Sequence, residues 1–353
     1  MLGASGLSIT AEIVEKPDGK PLVQHPGGPN PVERLSALLH VDMARVNETI
    51  EARMQSPIGT IPDLASHLVG AGGKRLRPMI TLATSSLLGY RGDHHILLAT
   101  AVEFIHSATL LHDDIVDGSD LRRGKPPANR LWGNSASVLV GDFLFARSFS
   151  LMVETGHLRV LDILSRASSI IAEGEVHQLA VIGDIDLPID DYMTIIEAKT
   201  AELFAAAARV SAVITKCSEA DEKAMDQFGR SLGLAFQLVD DALDYSGQKQ
   251  ELGKRVGDDF REGKVTLPMS LAYHAGSSAE KDWWEQMLDA DSRNAAQLTL
   301  ANSYIERHDA VGKTLSLAKS HAAQAKAALD RFEDNELRTC LRDLCDFVVT
   351  RAY

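Results

Sequence analysis

The chain has 353 residues, of which 45% are hydrophobic and 24% are charged, and its formal net charge at pH 7 is -13. The acidic balance argues against nucleic acid as the main partner, because a surface that binds a phosphate backbone needs an excess of Lys and Arg. The three cysteines are widely spaced and predict neither a disulfide framework nor a zinc site, so a reducing, cytoplasmic setting is expected.

The N-terminal segment is predicted to be an irregular tail. It carries Glu12, Glu15 and Asp18 and has neither a secretory nor a mitochondrial targeting pattern. It ends in a Pro- and Gly-rich stretch at 25–31, which is incompatible with a helix. We therefore expect a tail over residues 1–30 and a single domain over residues 31–353. No apolar run is expected to approach the ~18 residues that a membrane span needs.

From Pro31 onward nearly every segment has apolar residues spaced three and four apart, which is the period of a helix. Convincing strand-like alternation is not found, and the fold class is therefore predicted to be all-α, with one large helical bundle. The predicted helices are, in chain order, 32–54, 78–88, 94–117, 135–154, 160–182, 189–215, 220–245 and 266–274, followed by several shorter ones. Those over 94–117 and 220–245 are apolar nearly all round, which is typical of the centre of a bundle.

Both of these central helices end in acids at positions i, i+1 and i+4. The acids are Asp113, Asp114 and Asp117 in the first cluster and Asp240, Asp241 and Asp244 in the second. On a helix, residues four apart share a face, so the first and last acids of each cluster point the same way.

Aspartates at a helix end are more often caps or solubilising groups than a binding site. Here, however, like charges four residues apart destabilise a helix, and buried carboxylates are costly without a counter-charge. The pattern occurs twice among Leu, Val and Ile residues, which predicts a strong external cation. Ligands that are all oxygens indicate Mg²⁺, which completes its shell with water and substrate phosphate. Two such walls would clamp a diphosphate through bridging Mg²⁺ ions.

Basic residues stand around both clusters. They are Lys74 and Arg77 near a predicted helix N-terminus, Arg122 and Arg123 after the first cluster, Lys199 on a third helix, and Lys254 and Lys264 after the second cluster. A single basic pair is usually a solvated surface, whereas a helix N-terminus with Lys and Arg suits an anion. Their joint placement in an acidic chain predicts two phosphate pockets, one direct and one through metal.

Together these residues resemble the trans-type isoprenyl (polyprenyl) diphosphate synthase family over roughly residues 31–353. The motifs that carry the resemblance are 72–78, His106, 113–117 with Arg122 and Arg123, 141–144, Lys199 with Thr200, 236–244, 253–254 and 262–268. Within the family the chain looks most like the long-chain octaprenyl, solanesyl and decaprenyl diphosphate synthases.

The resemblance implies an Mg²⁺-dependent prenyltransferase that adds isopentenyl diphosphate to an allylic diphosphate, such as farnesyl or geranylgeranyl diphosphate. The product would be a long-chain all-trans polyprenyl diphosphate for the side chain of a quinone. The resemblance also implies a homodimer. Peripheral contact with a membrane would serve release of the product.

The resemblance further implies a role for each matching residue. The six aspartates would hold Mg²⁺ on the allylic diphosphate, with Asp114 in support. Direct contacts with that diphosphate would come from Arg122, Lys199 and Lys254. Isopentenyl diphosphate would be bound by Lys74, Arg77, His106 and Arg123, and Lys264 is a further substrate-binding candidate. Thr200 and Gln237 would face the allylic carbon. No side chain is assigned as the base.

The length of the product depends on the space below the first cluster. Ala108 and Thr109 stand where short-chain relatives often carry an aromatic residue, so the upper part of the cavity is predicted to be open. Several helical turns lower, at ~5.4 Å per turn, the candidate floor residues are Phe149, Met152 and Leu164. A Met among Phe and Leu is usually core packing; the hypothesis is that Met152 helps to set the stop.

Other interpretations remain open. A medium- or short-chain synthase would use the same site. A terpene cyclase would not need a pocket for isopentenyl diphosphate, so Lys74, Arg77 and Arg123 argue against it. A non-catalytic partner subunit usually lacks one acid cluster. A hydrolase with a dinuclear metal site at His106 and His112 is disfavoured because residues six apart lie on different faces of a helix. A purely structural bundle leaves the buried acids unexplained.

Overall fold

The computed structural model describes residues 29–70, 73–118, 122, 125–246, 257–290 and 293–350. The predicted tail up to residue 28 lies outside the described residues, as do the predicted site residues Arg123 and Lys254. The described part of the chain is helical and contains no strand beyond an isolated bridge between Arg122 and Lys125. The predicted all-α bundle is confirmed.

The helices of the described residues are, in chain order, α1 (Pro31–Leu38), α2 (His40–Arg53), α3 (Thr60–Gly70), α4 (Leu76–Leu87), α5 (His94–Val116), α6 (Ala128–Trp132), α7 (Asn134–Glu154), α8 (Leu158–Ala180), α9 (Ile189–Ile196), a π-helical turn (Glu197–Ala201), α10 (Glu202–Thr215), α11 (Glu219–Tyr245), α12 (Asp258–Glu262), α13 (Leu267–Ala275), α14 (Ser278–Leu288), α15 (Ala295–Arg307), α16 (Ala310–Leu329) and α17 (Glu336–Thr350).

The centre of the bundle is built from α5, α10 and α11, each of which contains a long run of buried residues. α5 packs against α4 and α7, α10 lies between α4 and α11, and α11 packs along α16. Most residues of α5 from Ile96 to Leu111 are buried, and α10 presents a fully buried run of alanines at 205–208. Since both acid clusters follow directly from buried helices, the core itself fixes where the carboxylates lie.

Two predicted helices are divided in the structure. The segment 32–54 breaks at Leu39, where α1 ends and α2 begins at the next residue. The segment 189–215 contains α9, the π-helical turn and α10. In both cases the apolar residues keep their spacing across the break, so periodicity alone could not reveal it. The sequence reading also missed α3, which begins with Thr60 and has Pro62 in its first turn.

α7 corrects one expectation. By length and composition alone, Asn134–Glu154 is apolar enough to cross a membrane, so the prediction that no apolar run approaches that length was wrong. In the fold, one side of α7 packs against α5, whereas Leu139 and Val153 on its other side are largely exposed.

Candidate active site

The first acid cluster ends α5 and is partly buried. Asp114 is almost fully buried, and its Oδ1 atom accepts a hydrogen bond of 2.5 Å from Nε of Arg122. Burial raises the pKa of Asp114 against the opposing effect of that arginine. Burial also raises the pKa of Asp113 to about 7, and repulsion from Glu175 and Asp117 adds to the shift. Full ionisation of the first cluster is therefore disfavoured without a further positive charge.

The π-helical turn carries Lys199 and Thr200 to the same region. Its backbone is closed by the Glu202 N–H, which donates to the Glu197 carbonyl, and such one-residue expansions often occur at functional sites. The Lys199 ammonium lies 2.6 Å from the Glu175 carboxylate and also donates to Gln178 Oε1. Both partners are on α8, which comes close to the turn at Gly174.

The absence of a side chain at Gly174 makes this approach possible. A Cβ atom there would lie 2.7 Å from Cβ of Ala198 and 3.2 Å from Cγ of Lys199. Both distances are shorter than an ordinary carbon–carbon contact of about 3.5–4.0 Å. Gly174 therefore sets how near α8 brings Glu175 to Lys199.

The second cluster ends α11. Asp240 is half-buried, whereas Asp241 and Asp244 are buried. Asp241 accepts hydrogen bonds from Gln237 Nε2, at 2.7 Å, and from the Tyr192 hydroxyl. Asp244 accepts a bond of 2.9 Å from the backbone N–H of Asp259, which secures the start of α12.

Small residues let α11 approach the π-helical turn and α10. A Cβ atom on Gly233 would lie 2.6 Å from Cα of Ala201, and one on Gly229 would lie 2.3 Å from the carbonyl oxygen of Phe204. One turn further along the same face, Gln237 Oε1 accepts a hydrogen bond of 2.8 Å from Thr200 Oγ1. The close contact therefore brings the predicted pair Thr200 and Gln237 together.

Lys264 connects the segment after the second cluster to the first cluster. It follows α12, and its ammonium lies 2.7 Å from Asp117 and 3.0 Å from Glu262. Burial lowers the pKa of Lys264, but pairing with these two carboxylates outweighs that effect and raises it. The segment after the second cluster is thereby held against the end of α5.

A second basic group lies on α4. The Arg77 guanidinium stacks over the Phe204 ring at 4.5 Å and lies 3.2 Å from His106 Nε2, so the predicted pair Arg77 and His106 is brought together. Burial lowers the pKa of Arg77 to about 10, against the effect of Glu103. Arg75 pairs with Glu103 from a left-handed backbone conformation just before α4. Lys74 is exposed and lies over the Phe347 ring.

The proposed chain-length residues lie in the central core below the first cluster. Ala108, Met152 and Leu164 are fully buried and belong to the same hydrophobic cluster. Phe149 packs against Phe145, with ring centroids 5.5 Å apart. The Thr109 hydroxyl donates to the His106 carbonyl, as part of its own helix. Contact with a growing chain remains a prediction for each of them.

The donor set fits a hard cation that prefers oxygen ligands. All six predicted ligands are carboxylates, and the buried Oδ2 atom of Asp114 has no hydrogen-bond partner. Among the described residues, no three His, Cys, Asp or Glu side chains converge closely enough to hold a metal ion by themselves. This is the arrangement expected for Mg²⁺, which binds through one or two carboxylates and takes further ligands from water and substrate phosphates.

Three residues of the site were missed by sequence reasoning. Glu175 lies beside Lys199, Tyr192 contacts Asp241, and Asp259 contacts Asp244. Asp259 was visible as the second acid of the pair after Gly257, close to the second cluster. Glu175 and Tyr192 gave no such signal, because each lies on a different helix from its partner.

An all-helical bundle with acids on two helices and cations on their neighbours defines a protein of the isoprenoid synthase fold. The chain belongs to the polyprenyl synthetase family, whose model matches residues 59–305. It is accordingly a prenyltransferase. Its sequence is 43% identical to that of an octaprenyl diphosphate synthase from Escherichia coli, over 91% of this chain and 99% of the relative.

Solved structures of similar proteins agree with this family assignment. A polyprenyl synthase from Caulobacter crescentus, complexed with calcium and isoprenyl diphosphate, is 52% identical and has a TM-score of 0.88, with 91% of this chain and 98% of the other covered. A decaprenyl diphosphate synthase from Rhodobacter capsulatus is 46% identical, with a TM-score of 0.88 and coverage of 91% and 99%.

Proposed function

We propose that this protein condenses isopentenyl diphosphate with an allylic diphosphate to form a long-chain all-trans polyprenyl diphosphate, which supplies the side chain of a quinone. The observation that carries the proposal is the pair of acid clusters that end α5 and α11, with Lys264 against the first cluster and with Lys199 and Arg77 on neighbouring helical segments. The long product is supported by the similarity to octaprenyl and decaprenyl diphosphate synthases. A short-chain product is the alternative, since a short-chain isoprenyl diphosphate synthase is also 32% identical.

Asp113, Asp117 and Asp240 are the half-buried acids that would hold Mg²⁺, with Asp114, Asp241 and Asp244 buried behind them. When bound, Mg²⁺ would supply the positive charge that stabilises the leaving diphosphate. The similar Caulobacter protein binds calcium and isoprenyl diphosphate, which supports a divalent cation at this position.

The residues of the chain supply binding and orientation. Lys199 would donate to the allylic diphosphate, and Arg122 and the undescribed Lys254 are proposed to do the same. Arg77 and His106 would bind the isopentenyl diphosphate, together with Lys74 and Arg123. Thr200 and Gln237, whose side chains are hydrogen-bonded to each other, are proposed to face the allylic carbon.

In the proposed reaction, the C–O bond of the allylic diphosphate breaks and its electron pair leaves with the diphosphate. The double bond of isopentenyl diphosphate then forms the new C–C bond to the allylic carbon. The adduct then loses a proton, which the released diphosphate accepts, and a double bond is restored. Preorganised cations around the leaving group account for acceleration of the first step.

The proposed assembly is a cytoplasmic homodimer whose catalytic domain covers residues 31–353. Large apolar side chains stand exposed on α7 and α8, namely Leu139, Val153, Leu158 and Val176. An apolar surface of this kind on two adjacent helices is typical of an interface. Light scattering on the wild type and on Leu139→Glu tests it, because a charge in the interface should shift the mass toward the monomer.

The activity is tested with purified protein, labelled isopentenyl diphosphate, farnesyl or geranylgeranyl diphosphate, and Mg²⁺. Products of octaprenyl to decaprenyl length support the proposal. Products that stop at farnesyl or geranylgeranyl length would establish the short-chain alternative. Asp113→Asn serves as the matched control, since it removes one charge with little change of volume and should abolish product formation. Folded wild-type protein that forms no product with any primer would refute the proposal.

A further inference from the structure

Tyr192 makes a polar contact with the second acid cluster that its own helix would not suggest. It lies on α9 and is only 4% exposed, among the buried apolar side chains that include Leu187 and Leu238. Its hydroxyl donates to Oδ2 of Asp241, a residue on α11. Burial, followed by the charge of Asp241, raises the pKa of Tyr192 well above its ordinary value, so the hydroxyl stays a donor.

Asp241 is thereby held from two sides. Its other oxygen, Oδ1, accepts a hydrogen bond of 2.7 Å from Gln237 Nε2. The same Gln237 side chain accepts a bond of 2.8 Å from Thr200 through its Oε1 atom. A continuous chain of hydrogen bonds thus runs from the π-helical turn through α11 to α9.

This arrangement restricts the movement of a buried carboxylate. Asp241 is 3% exposed, so water is a poor substitute for a lost donor. Removing one donor from a buried charged acceptor is more costly than the loss of an ordinary surface bond. Asp241 in turn is adjacent to Asp240, the half-buried acid of the cluster, on the same turn of helix.

We propose that Tyr192 is a positioning residue of the active site. Its hydroxyl fixes the Asp241 carboxylate and, through Gln237, holds Thr200 in a fixed position relative to the acids that end α11. The inference rests on the proposed function, because it assigns Tyr192 a role in orienting groups around the Mg²⁺-bound diphosphate. It concerns the acids that end α11, whereas Arg77 and His106 lie on α4 and α5 and are paired with each other.

The test variant is Tyr192→Phe, which removes the hydroxyl and keeps the ring in its apolar surroundings. Tyr273→Phe is the matched control, since its hydroxyl also donates to a carboxylate, Glu285, at 2.9 Å, but in a different hydrophobic cluster. Two properties are measured for each full-length variant. One is binding of inorganic pyrophosphate by calorimetry at several Mg²⁺ concentrations, and the other is kcat and KM with both substrates.

For Tyr192→Phe we expect the Mg²⁺ concentration that supports half-maximal pyrophosphate binding to rise about tenfold or more, as the loss of one hydrogen bond to a charged group implies. We expect kcat to fall about tenfold and KM for isopentenyl diphosphate to change less than about twofold, since disordered positioning affects the chemical step. Tyr273→Phe should match the wild type in both measurements.

A second test compares Asp241→Asn with the double variant that also carries Tyr192→Phe. If Tyr192 acts through Asp241, adding Tyr192→Phe to Asp241→Asn causes little further loss, because contacting residues are not additive. Because Asp241 is itself a proposed Mg²⁺ ligand, Asp241→Asn alone weakens Mg²⁺ binding whatever Tyr192 does, and the test therefore depends on the double variant.

Wild-type Mg²⁺ dependence in Tyr192→Phe, or fully additive losses in the double variant, would overturn the inference. An equal effect in Tyr273→Phe would overturn it as well, because the hydroxyl would then act only on general stability. Failure of the proposed function is distinguished by the wild type, which would bind pyrophosphate with Mg²⁺ but form no polyprenyl product.

Discussion

The contact between α11 and the π-helical turn makes Gly233 a sensitive position. In Gly233→Ala, the new methyl carbon would lie 2.6 Å from Cα of Ala201 and 3.1 Å from its Cβ. An ordinary carbon–carbon contact is about 3.5–4.0 Å. The first of these neighbours is backbone, which cannot rotate away, so the two helical segments must separate locally by about 1 Å.

Two opposing effects determine the stability of this variant. Overpacking of a buried helix contact costs about 1–3 kcal/mol. Replacement of Gly by Ala inside a helix returns about 1 kcal/mol through the lower conformational entropy of the unfolded chain. We therefore expect a net loss of no more than about 2 kcal/mol, which corresponds to a fall in Tm of no more than about 5 °C for a chain of this size.

Activity should fall much further than stability. Gln237 is four residues after Gly233 on the same face, and its 2.8 Å bond to Thr200 spans the interface that must open. A displacement of about 1 Å at a reacting group can lower the rate by about 10²-fold. The measurement is kcat for isoprenoid condensation together with Tm by calorimetry.

Gly59→Ala is the control, because Gly59 has no atom within 4 Å of its added Cβ and needs no left-handed backbone. It should leave both kcat and Tm near the wild-type values. A Gly233→Ala protein with wild-type kcat would refute the view that this close contact sets the geometry of Thr200 and Gln237. A loss of kcat that only matches the loss of folded protein would refute it too.

Three further predictions follow from burial and charge. Because burial raises the pKa of Asp113 to about 7, Mg²⁺-supported pyrophosphate binding should strengthen as the pH rises through about 7 and Asp113 loses its proton. Calorimetry at several pH values should place the midpoint of this pH dependence lower in Glu175→Gln, which lacks the charge that repels Asp113. Met152→Ala should lengthen the products if that fully buried side chain limits the cavity, and an unchanged length distribution on product sizing rejects this role. The backbone N–H of Ser277 and the other hydrogen-bond partners of Glu280 lower the pKa of that carboxyl group to about 2. Glu280→Gln should therefore lower the free energy of unfolding by about 1–2 kcal/mol above pH ~4.5. That difference should vanish as the pH falls toward about 2, and a difference in Tm that is independent of pH would contradict it.

The sequence was sufficient for the fold class and for most helices, because the apolar spacing of α5, α7, α8 and α11 is continuous and long. The acid clusters were visible because their spacing violates what an isolated buried helix tolerates. Both features depend on residues that are close along the chain.

The parts that could not be predicted depend on contacts between helices. The π-helical turn keeps the apolar spacing of its neighbours, so the extra residue in its backbone left no mark on the sequence pattern. Tyr192 and Glu175 look like ordinary helical residues until α9 and α8 are placed beside α11 and the turn. Gly229 and Gly233 could be recognised as small residues, but not as the contact that sets the distance between two helices.

The pairing of charges explains how two acid clusters can exist in the folded chain. Lys264 lies against Asp117, Arg122 against Asp114, and these cations are the same groups that the sequence assigns to substrate. A buried charge without a partner would cost several kcal/mol, so each cation stabilises an acid while the site is free of substrate. A diphosphate brings further negative charge and competes for those cations, which would leave the acids unneutralised. In the proposed mechanism, the acids would hold divalent ions that arrive with the diphosphate, and the lysine and arginine side chains would then be free to bind the phosphate oxygens. The same pairs that stabilise the acids in the fold would therefore make recognition of the diphosphate dependent on the metal.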